Sequence, residues 1–187
     1  LAGYAAVEDG YRTLGFMGEN STPSMKNYGY GFIQGCNDAA EDIGVVAEIN
    51  YSYKKEGETA ADIQKKAETW HEDGTEVIFA CGNDIFDSVK TEADIANTKV
   101  IACGSDMNAK SKNVITSAVK ECGIAVQTEL AAFYNGELAG GSNLVLGASE
   151  DAVGLDVKTS RFEVFDQESY DALYQSLKNG KLNIATS

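Results

Sequence analysis

EVIFACGND, Glu76 to Asp84, and KVIACGSD, Lys99 to Asp106, share one design: an apolar run of strand length, a cysteine, a glycine corner and an acid. Runs this apolar, without alternating polar residues, suit strands covered on both faces, the condition of a parallel sheet. Between them Ile85, Phe86, Val89 and Ala93 fall on one helical face, with Asp84 placed to cap that helix. The two segments are successive β-α units and not a solenoid repeat, since no other part of the chain keeps their period.

The alternation continues outward in both directions. TLGFMG (Thr13–Gly18) reads as a strand, followed by a helix with Phe32, Cys36, Ala39, Ala40 and Ile43 on one side and Gly44 as its stop. VVAEINYSY (Val45–Tyr53) is the next strand, and Ala60, Ile63, Ala67 and Trp70 mark the inner stripe of a helix that Gly74 ends. VITSAVK (Val114–Lys120) is a fifth strand, with a further helix over Ile124–Tyr134. The expected fold class is α/β, a parallel sheet flanked by helices in three layers.

Beyond Gly140 the pattern changes. NLVLGA (Asn143–Ala148) and AVGLDV (Ala152–Val157) are short strand candidates, and Tyr170, Leu173, Tyr174 and Leu177 form the stripe of a last helix before the exit KNGKLNI (Lys178–Ile184). LAGYAAVEDGY (Leu1–Tyr11) reads as a helix with no strand before it. Both ends read as pieces of something larger.

With 187 residues, 43% of them hydrophobic, the chain is long enough to bury a sizeable core. Its 29 acids against 15 bases give a formal charge of −14, which opposes nucleic acid and anionic lipid and leaves small ligands and protein partners open. No apolar run approaches the roughly 20 residues that span a bilayer. The four cysteines, Cys36, Cys81, Cys103 and Cys122, lack C-x-x-C spacing and His71 is the one histidine, so a structural zinc site is not expected, nor any cofactor. Buried free thiols are expected; a disulfide between Cys81 and Cys103, each before a glycine at a strand end, stays open. His71, beside Trp70 on the second helix, reads as a surface residue.

In an open parallel sheet, ligands sit outside the carboxyl ends of the strands. Asn50–Tyr53, Cys81–Asp84, Gly104–Asp106 and Thr116–Lys120 all lie there. Tyr53 offers a ring that stacks on a flat heterocycle, and Gly82 permits close backbone approach. The Asp106 carboxylate can accept hydroxyl hydrogen bonds while the Lys120 ammonium donates to another oxygen. The plain alternatives stay open beside these: Tyr53 packs at an edge, Ser117 satisfies a strand end, Asp106 opens a turn and Lys120 is a solvated surface lysine. A lysine near a carboxylate, or Cys81 or Cys103 as nucleophile, would also suit a small α/β enzyme, but no nucleophile elbow, phosphate-binding loop or dinucleotide fingerprint accompanies them.

LAGYAA, LGFMGE with MKNYGYGFIQGCNDA, EVIFACG, VITSAVK and a late VGLD before KNGKLNI follow one another in an order that resembles the basic membrane lipoprotein family, the purine-nucleoside receptors of bacterial ABC importers. The GYGFIQG and TSAVK segments are the more specific parts. The resemblance implies a type I periplasmic-binding-protein-like fold, in which two α/β lobes close on a nucleoside, and this chain is expected to supply the second lobe. Residues 1–11 would then be a helix and crossing segment of the first lobe, 12–145 the second lobe, and 146–187 crossing strands and a helix. By position Tyr53 matches an aromatic that stacks on the ligand, Gly82 a glycine corner near the ribose, and Lys120 a lysine that reaches the ligand. Where the family carries Gly-Val-Asp-x-Asp-Gln, this chain has Ala102-Cys103-Gly104-Ser105-Asp106-Met107, so an ungapped alignment sets Gly104 at the first aspartate and Asp106 at the second. The resemblance also implies an ABC permease partner and an extracytoplasmic, lipid-anchored intact protein. Without the first lobe, both terminal helices are expected to bare apolar faces, and the chain either to self-associate through them or to hold them loosely. The effector domain of a transcription regulator, which shares the architecture, is the alternative.

Overall fold

The computed structural model describes residues 1–182 and 184. Along the chain run α1 (Ala2–Glu8), β1 (Thr13–Gly18), α2 (Pro23–Ile43), β2 (Glu48–Tyr53), α3 (Ala60–Glu72), β3 (Val77–Cys81), α4 (Asn83–Ala96), β4 (Lys99–Gly104), β5 (Val114–Lys120), α5 (Cys122–Asn135), β6 (Val153–Leu155) and α6 (Gln167–Lys178). The strands form one sheet in the order β2-β1-β3-β4-β5-β6, parallel throughout except for β6, which runs antiparallel to β5. The expected parallel α/β sheet is what the chain forms.

Period-two alternation divides each strand's side chains between two cores. Val77, Phe79 and Cys81 of β3 join Phe16, Phe32, Ile101 and Ile115 on the face that α1 and α2 cover. Ile78 and Ala80 join Met17, Ile63, Ile85, Val89 and Val100 under α3 and α4. Helix ends follow local rules: Gly44 takes a left-handed φ of 70° to stop α2, and Thr59 with Asp62 forms a capping box on α3. Asp84 is not the cap of α4 as expected. Gly82 holds that position, and Asp84 lies in the first turn, where its charge suits the helix dipole and meets Lys54 Nζ at 3.2 Å.

Four other expectations are corrected. β2 is an edge strand that begins at Glu48, with Asn50 and Tyr51 exposed, so it is not covered on both faces. NLVLGA carries no strand. His71 is half-buried, not a free surface residue: its Nδ1 lies 3.0 Å from the Thr75 carbonyl, which can only accept, so Nε2 is left to accept from the Thr98 hydroxyl at 3.0 Å. The fourth concerns the terminal helices.

Far from baring an apolar face, α1 buries Ala2, Ala5, Ala6 and Val7. Small residues allow the approach: a methyl on Gly3 would overlap the Phe32 carbonyl oxygen, and one on Gly35 would stand 3.0 Å from the Tyr4 nitrogen. Asp9 then ties the end of α1 to a segment more than 150 residues away, its Oδ1 accepting the N–H groups of Glu163, Val164 and Phe165 at 2.7, 2.6 and 3.0 Å. At the other end, α6 is capped by Asp166 through the Ser169 N–H at 2.9 Å, packs Tyr170 and Leu173 on the core, and donates the Tyr174 hydroxyl to the Val153 carbonyl at 2.8 Å. The open helix is α5, with no buried residue and with Val126, Leu130, Phe133 and Tyr134 exposed. The tail of the KNGKLNI exit falls partly on Asn183, which with 185–187 lies outside the described residues. Among the described residues no helix is long and apolar enough to cross a membrane.

The α1–α2 contact makes a direct prediction. Gly3→Ala overpacks it and should cost about 1–3 kcal/mol of stability in urea unfolding. Gly31→Ala, on α2 with open space where its Cβ would go, should be neutral or gain up to about 1 kcal/mol. Equal effects of the two would mean that close approach of the helices contributes nothing.

Candidate functional site

Because β1 to β5 are parallel, their carboxyl ends lie along one edge of the sheet. The chain leaves β1 toward β2 through α2 on one face, and leaves β3 toward β4 through α4 on the other. The winding therefore reverses between the ends of β1 and β3, the switch point at which open α/β sheets place ligands. Glu19 sits there, its N–H donating to the Cys81 carbonyl at 2.8 Å and its side chain folded over Gly82. Gly82 has φ 112° and ψ 147°, a conformation that side chains disfavour, and a methyl there would collide with the Glu19 side chain. The composition of LGFMGE gives Glu19 no distinction; only the neighbouring glycine corner reveals its place.

Asp106 follows β4. Its Oδ1 accepts the Asn108 N–H at 2.8 Å, which opens the short 3₁₀ turn Asn108–Lys110. Buried groups lock that turn onto β5: the Ser117 hydroxyl accepts from the Met107 N–H at 2.9 Å and donates to Asn108 Oδ1 at 2.7 Å. Asn108 in turn donates to the Thr159 hydroxyl at 2.7 Å, and Arg161 donates to the Asn108 and Val114 carbonyls. Asp106 thus opens a turn, as the plain alternative had it, and the turn is held rigidly against the next strand.

Lys120 ends β5, and its ammonium stands 5.1 Å from the centre of the Tyr28 ring, an arrangement favoured by the ring's negative face. Among the described residues it forms no ion pair. Asp106 and Lys120 line one cavity of about 670 Å³, with Ser105, Val119, Asp156 and Tyr170. Lys120 also borders a smaller, apolar pocket of about 290 Å³ walled by Tyr28, Phe32, Phe79 and Val153. Tyr28 lies within the MKNYGYGFIQG segment but nothing in its spacing marks it as the support of Lys120.

Tyr53 is placed apart from this pair. Its ring lies over Gly18, contacts Phe16 and Tyr51 edge-on at 5.7 and 5.9 Å, and brings its hydroxyl against Gly29 of α2. Burial raises its pKa above the ordinary tyrosine value. With Lys26, Tyr30, Ile33 and Tyr51 it lines a separate groove of about 400 Å³. Of the four residues expected at the site, the structure brings Asp106 and Lys120 into one cavity, sets Gly82 at the end of β3 under the Glu19 side chain, and turns Tyr53 toward α2. A larger hollow of about 750 Å³ lies between α1, α2 and α6, lined by Glu8, Asp38 and Asp42, away from the strand ends. No group of three or more metal-ligating side chains occurs among the described residues.

A family described as ABC transporter substrate-binding protein PnrA-like matches residues 1–186 of the chain. No curated protein matches it in sequence. Among solved structures it is similar to an ABC transporter solute-binding protein from Aeropyrum pernix, at 14% identity with a TM-score of 0.79, covering 100% of this chain and 63% of that one. A second, from Conexibacter woesei, is 19% identical with a TM-score of 0.76 over 98% of this chain and 61% of that one. A transcriptional activator of the comK gene from Bacillus halodurans follows at 15% identity and a TM-score of 0.67, covering 95% of this chain and 59% of that one. The chain spans about three fifths of the length of these structures.

The fit of Glu19 over Gly82 is testable by a double-mutant cycle. Gly82→Ala should lose on the order of 1–3 kcal/mol from its backbone conformation, with the collision adding to it. Glu19→Gly in the Gly82→Ala background should restore the collision's share, and Glu19→Ala should restore less, because the Glu19 Cβ is itself part of the overlap. Additive effects on unfolding free energy would show that the two residues do not touch.

Proposed function

Because this chain belongs to the Bmp family of PnrA-like ABC transporter substrate-binding proteins, we propose that it forms one lobe of a receptor that delivers a small solute, a purine nucleoside, to the permease of an ABC importer. The observation that carries this reading is the Asp106–Lys120 pair on one cavity at the carboxyl ends of the strands. A carboxylate that accepts from sugar hydroxyls and an ammonium that donates to a ring or sugar oxygen grip a nucleoside by its polar edge. Tyr53 serves as the stacking face only where a ligand reaches around the β1 and β2 ends.

The role is binding without chemistry. A second lobe closes over the ligand, and because the closed form binds more tightly, the ligand shifts the equilibrium toward closure. In the intact receptor α5 lies against the rest of the protein, which accounts for the exposed Val126, Leu130, Phe133 and Tyr134. The intact protein works outside the cytoplasm on a lipid anchor, as its family membership suggests. The sensor domain of a transcription regulator remains the second reading, given the likeness to the comK activator, but membership in a substrate-binding family weighs against it.

Calorimetry on the full-length protein tests the ligand: inosine, adenosine or guanosine should bind more tightly than ribose or glucose, and sugar binding without nucleoside binding would overturn the assignment. Lys120→Met should cost about 1.5–3 kcal/mol of that affinity, the range for a hydrogen bond to a charged group, with stability lowered by no more than about 1 kcal/mol for the lost cation–π contact. An unaltered dissociation constant would return Lys120 to the solvated surface. The chain studied alone should self-associate through α5 and not through its terminal helices, so Leu130→Glu with Phe133→Glu should return it to a monomer in sedimentation. Association unaffected by both changes would place the contact elsewhere.

A further inference from the structure

Cys81 ends β3 and Cys103 is the last residue but one of the neighbouring β4, each two residues beyond the paired positions Phe79 and Ile101. Both side chains point to the α2 side: Cys81 is buried in the cluster around Phe16, Phe32 and Phe79, and Cys103 packs against it while keeping some exposure. The two side chains share one cluster, and Tyr28 packs against the same core. Lys120 stands over the opposite part of this arrangement, on the Tyr28 ring. The binding role leaves these sulfurs unused.

Their surroundings make the two thiols unequal. Cys103 keeps the exposure that Cys81 lacks, and its interaction with Cys81, then with Tyr28 and the Lys120 charge, holds its pKa below the ordinary thiol value. Burial pushes the Cys81 thiol the other way. The other two cysteines share none of this: Cys36 is buried against Gly3, with its pKa raised by desolvation to about 12, and Cys122 is exposed at the start of α5.

We propose that Cys81 and Cys103 form a peroxide-reactive dithiol site beneath Lys120, with Cys103 as the attacking sulfur and Cys81 as the resolving one. The Cys103 thiolate attacks one oxygen of the peroxide, the O–O bond breaks, and protonation of the departing oxygen gives water and a sulfenic acid on Cys103. Cys81 then loses its proton and attacks that sulfur, displacing hydroxide, which leaves as a second water. Two thiols are oxidised to one disulfide while one hydrogen peroxide is reduced to two waters. Adjacent strand ends lie within the Cα separation that a disulfide spans, so closure needs side-chain rotation and not strand movement. The disulfide also takes the Cys103 thiol out of the cluster that holds Tyr28, on whose ring Lys120 rests.

The test is oxidation of the whole chain with hydrogen peroxide at low protein concentration, followed by thiol titration in denaturant and peptide mapping without reduction. The expected result is a fall from four titratable thiols to two, with a single linked peptide pair joining Cys81 to Cys103, unchanged in Cys122→Ser. In Cys81→Ser the link should vanish and Cys103 should trap a dimedone adduct of its sulfenic acid. Should Cys81→Ser fail to fold, the wild-type map still decides. Survival of all four thiols in excess peroxide, a link through Cys36 or Cys122, or slower oxidation of Cys103 than of Cys122 would overturn the proposal.

Discussion

Every side chain of β3, Val77 to Cys81, is buried, and that single condition organises the rest of the molecule. A strand with both faces covered has nowhere to present a polar group along its length, so helices must cap both sides of the sheet and chemistry is displaced to the strand ends. The polar residues that do occur inside β5 obey the same rule. Thr116 donates to the Asp156 carbonyl at 2.8 Å, and Ser117 is consumed by the Asn108 turn. What remains for a ligand is a line of groups along one edge: Lys54, Glu19, Gly82, Asp106 and Lys120.

Covering the α2 face takes two helices, and the second comes from the start of the chain. α1 is short, and short helices are marginal alone. Its position comes from tertiary contact: alanines and Gly3 let it settle on α2, and Asp9 holds three consecutive N–H groups of a distant segment. The Phe165 donor is buried, and left unpaired it would cost roughly 1–3 kcal/mol. The same contacts fasten the segment that leads into α6, so the two ends of the chain stabilise each other within one fold. α5 has no such ties.

Strand positions, helix faces and glycine stops were legible because each rests on a local rule with a local signal. The mistakes fall where the deciding neighbour is far away in sequence. Nothing in AGYAAVE distinguishes a helix that covers α2 from one that covers another lobe, since small residues suit either. Asp84 looks like a cap until Gly82, with φ 112°, takes that position and Lys54 claims the carboxylate. Glu19 and Tyr28 stand in segments whose resemblance was noticed, yet their roles depend on Gly82 and Lys120, many residues away. One error had a visible signal: EINYSY alternates polar and apolar residues as an edge strand does.

The relation between Asp106 and Lys120 bears most directly on what the edge can hold. Had the two formed a salt bridge, each would have spent its charge on the other. Asp106 uses one oxygen to open its turn, and Lys120 rests on a ring that orients the ammonium without occupying a hydrogen-bond acceptor. An exposed cation–π contact is worth about 0.5–1 kcal/mol, against about 1.5–3 kcal/mol for a hydrogen bond to a charged group. The ring therefore positions the lysine but does not compete with an oxygen that approaches from the cavity. An acid fixed by a buried network and a base held over an aromatic face are both arranged before any ligand arrives, so less side-chain entropy is lost on binding than two free surface charges would lose.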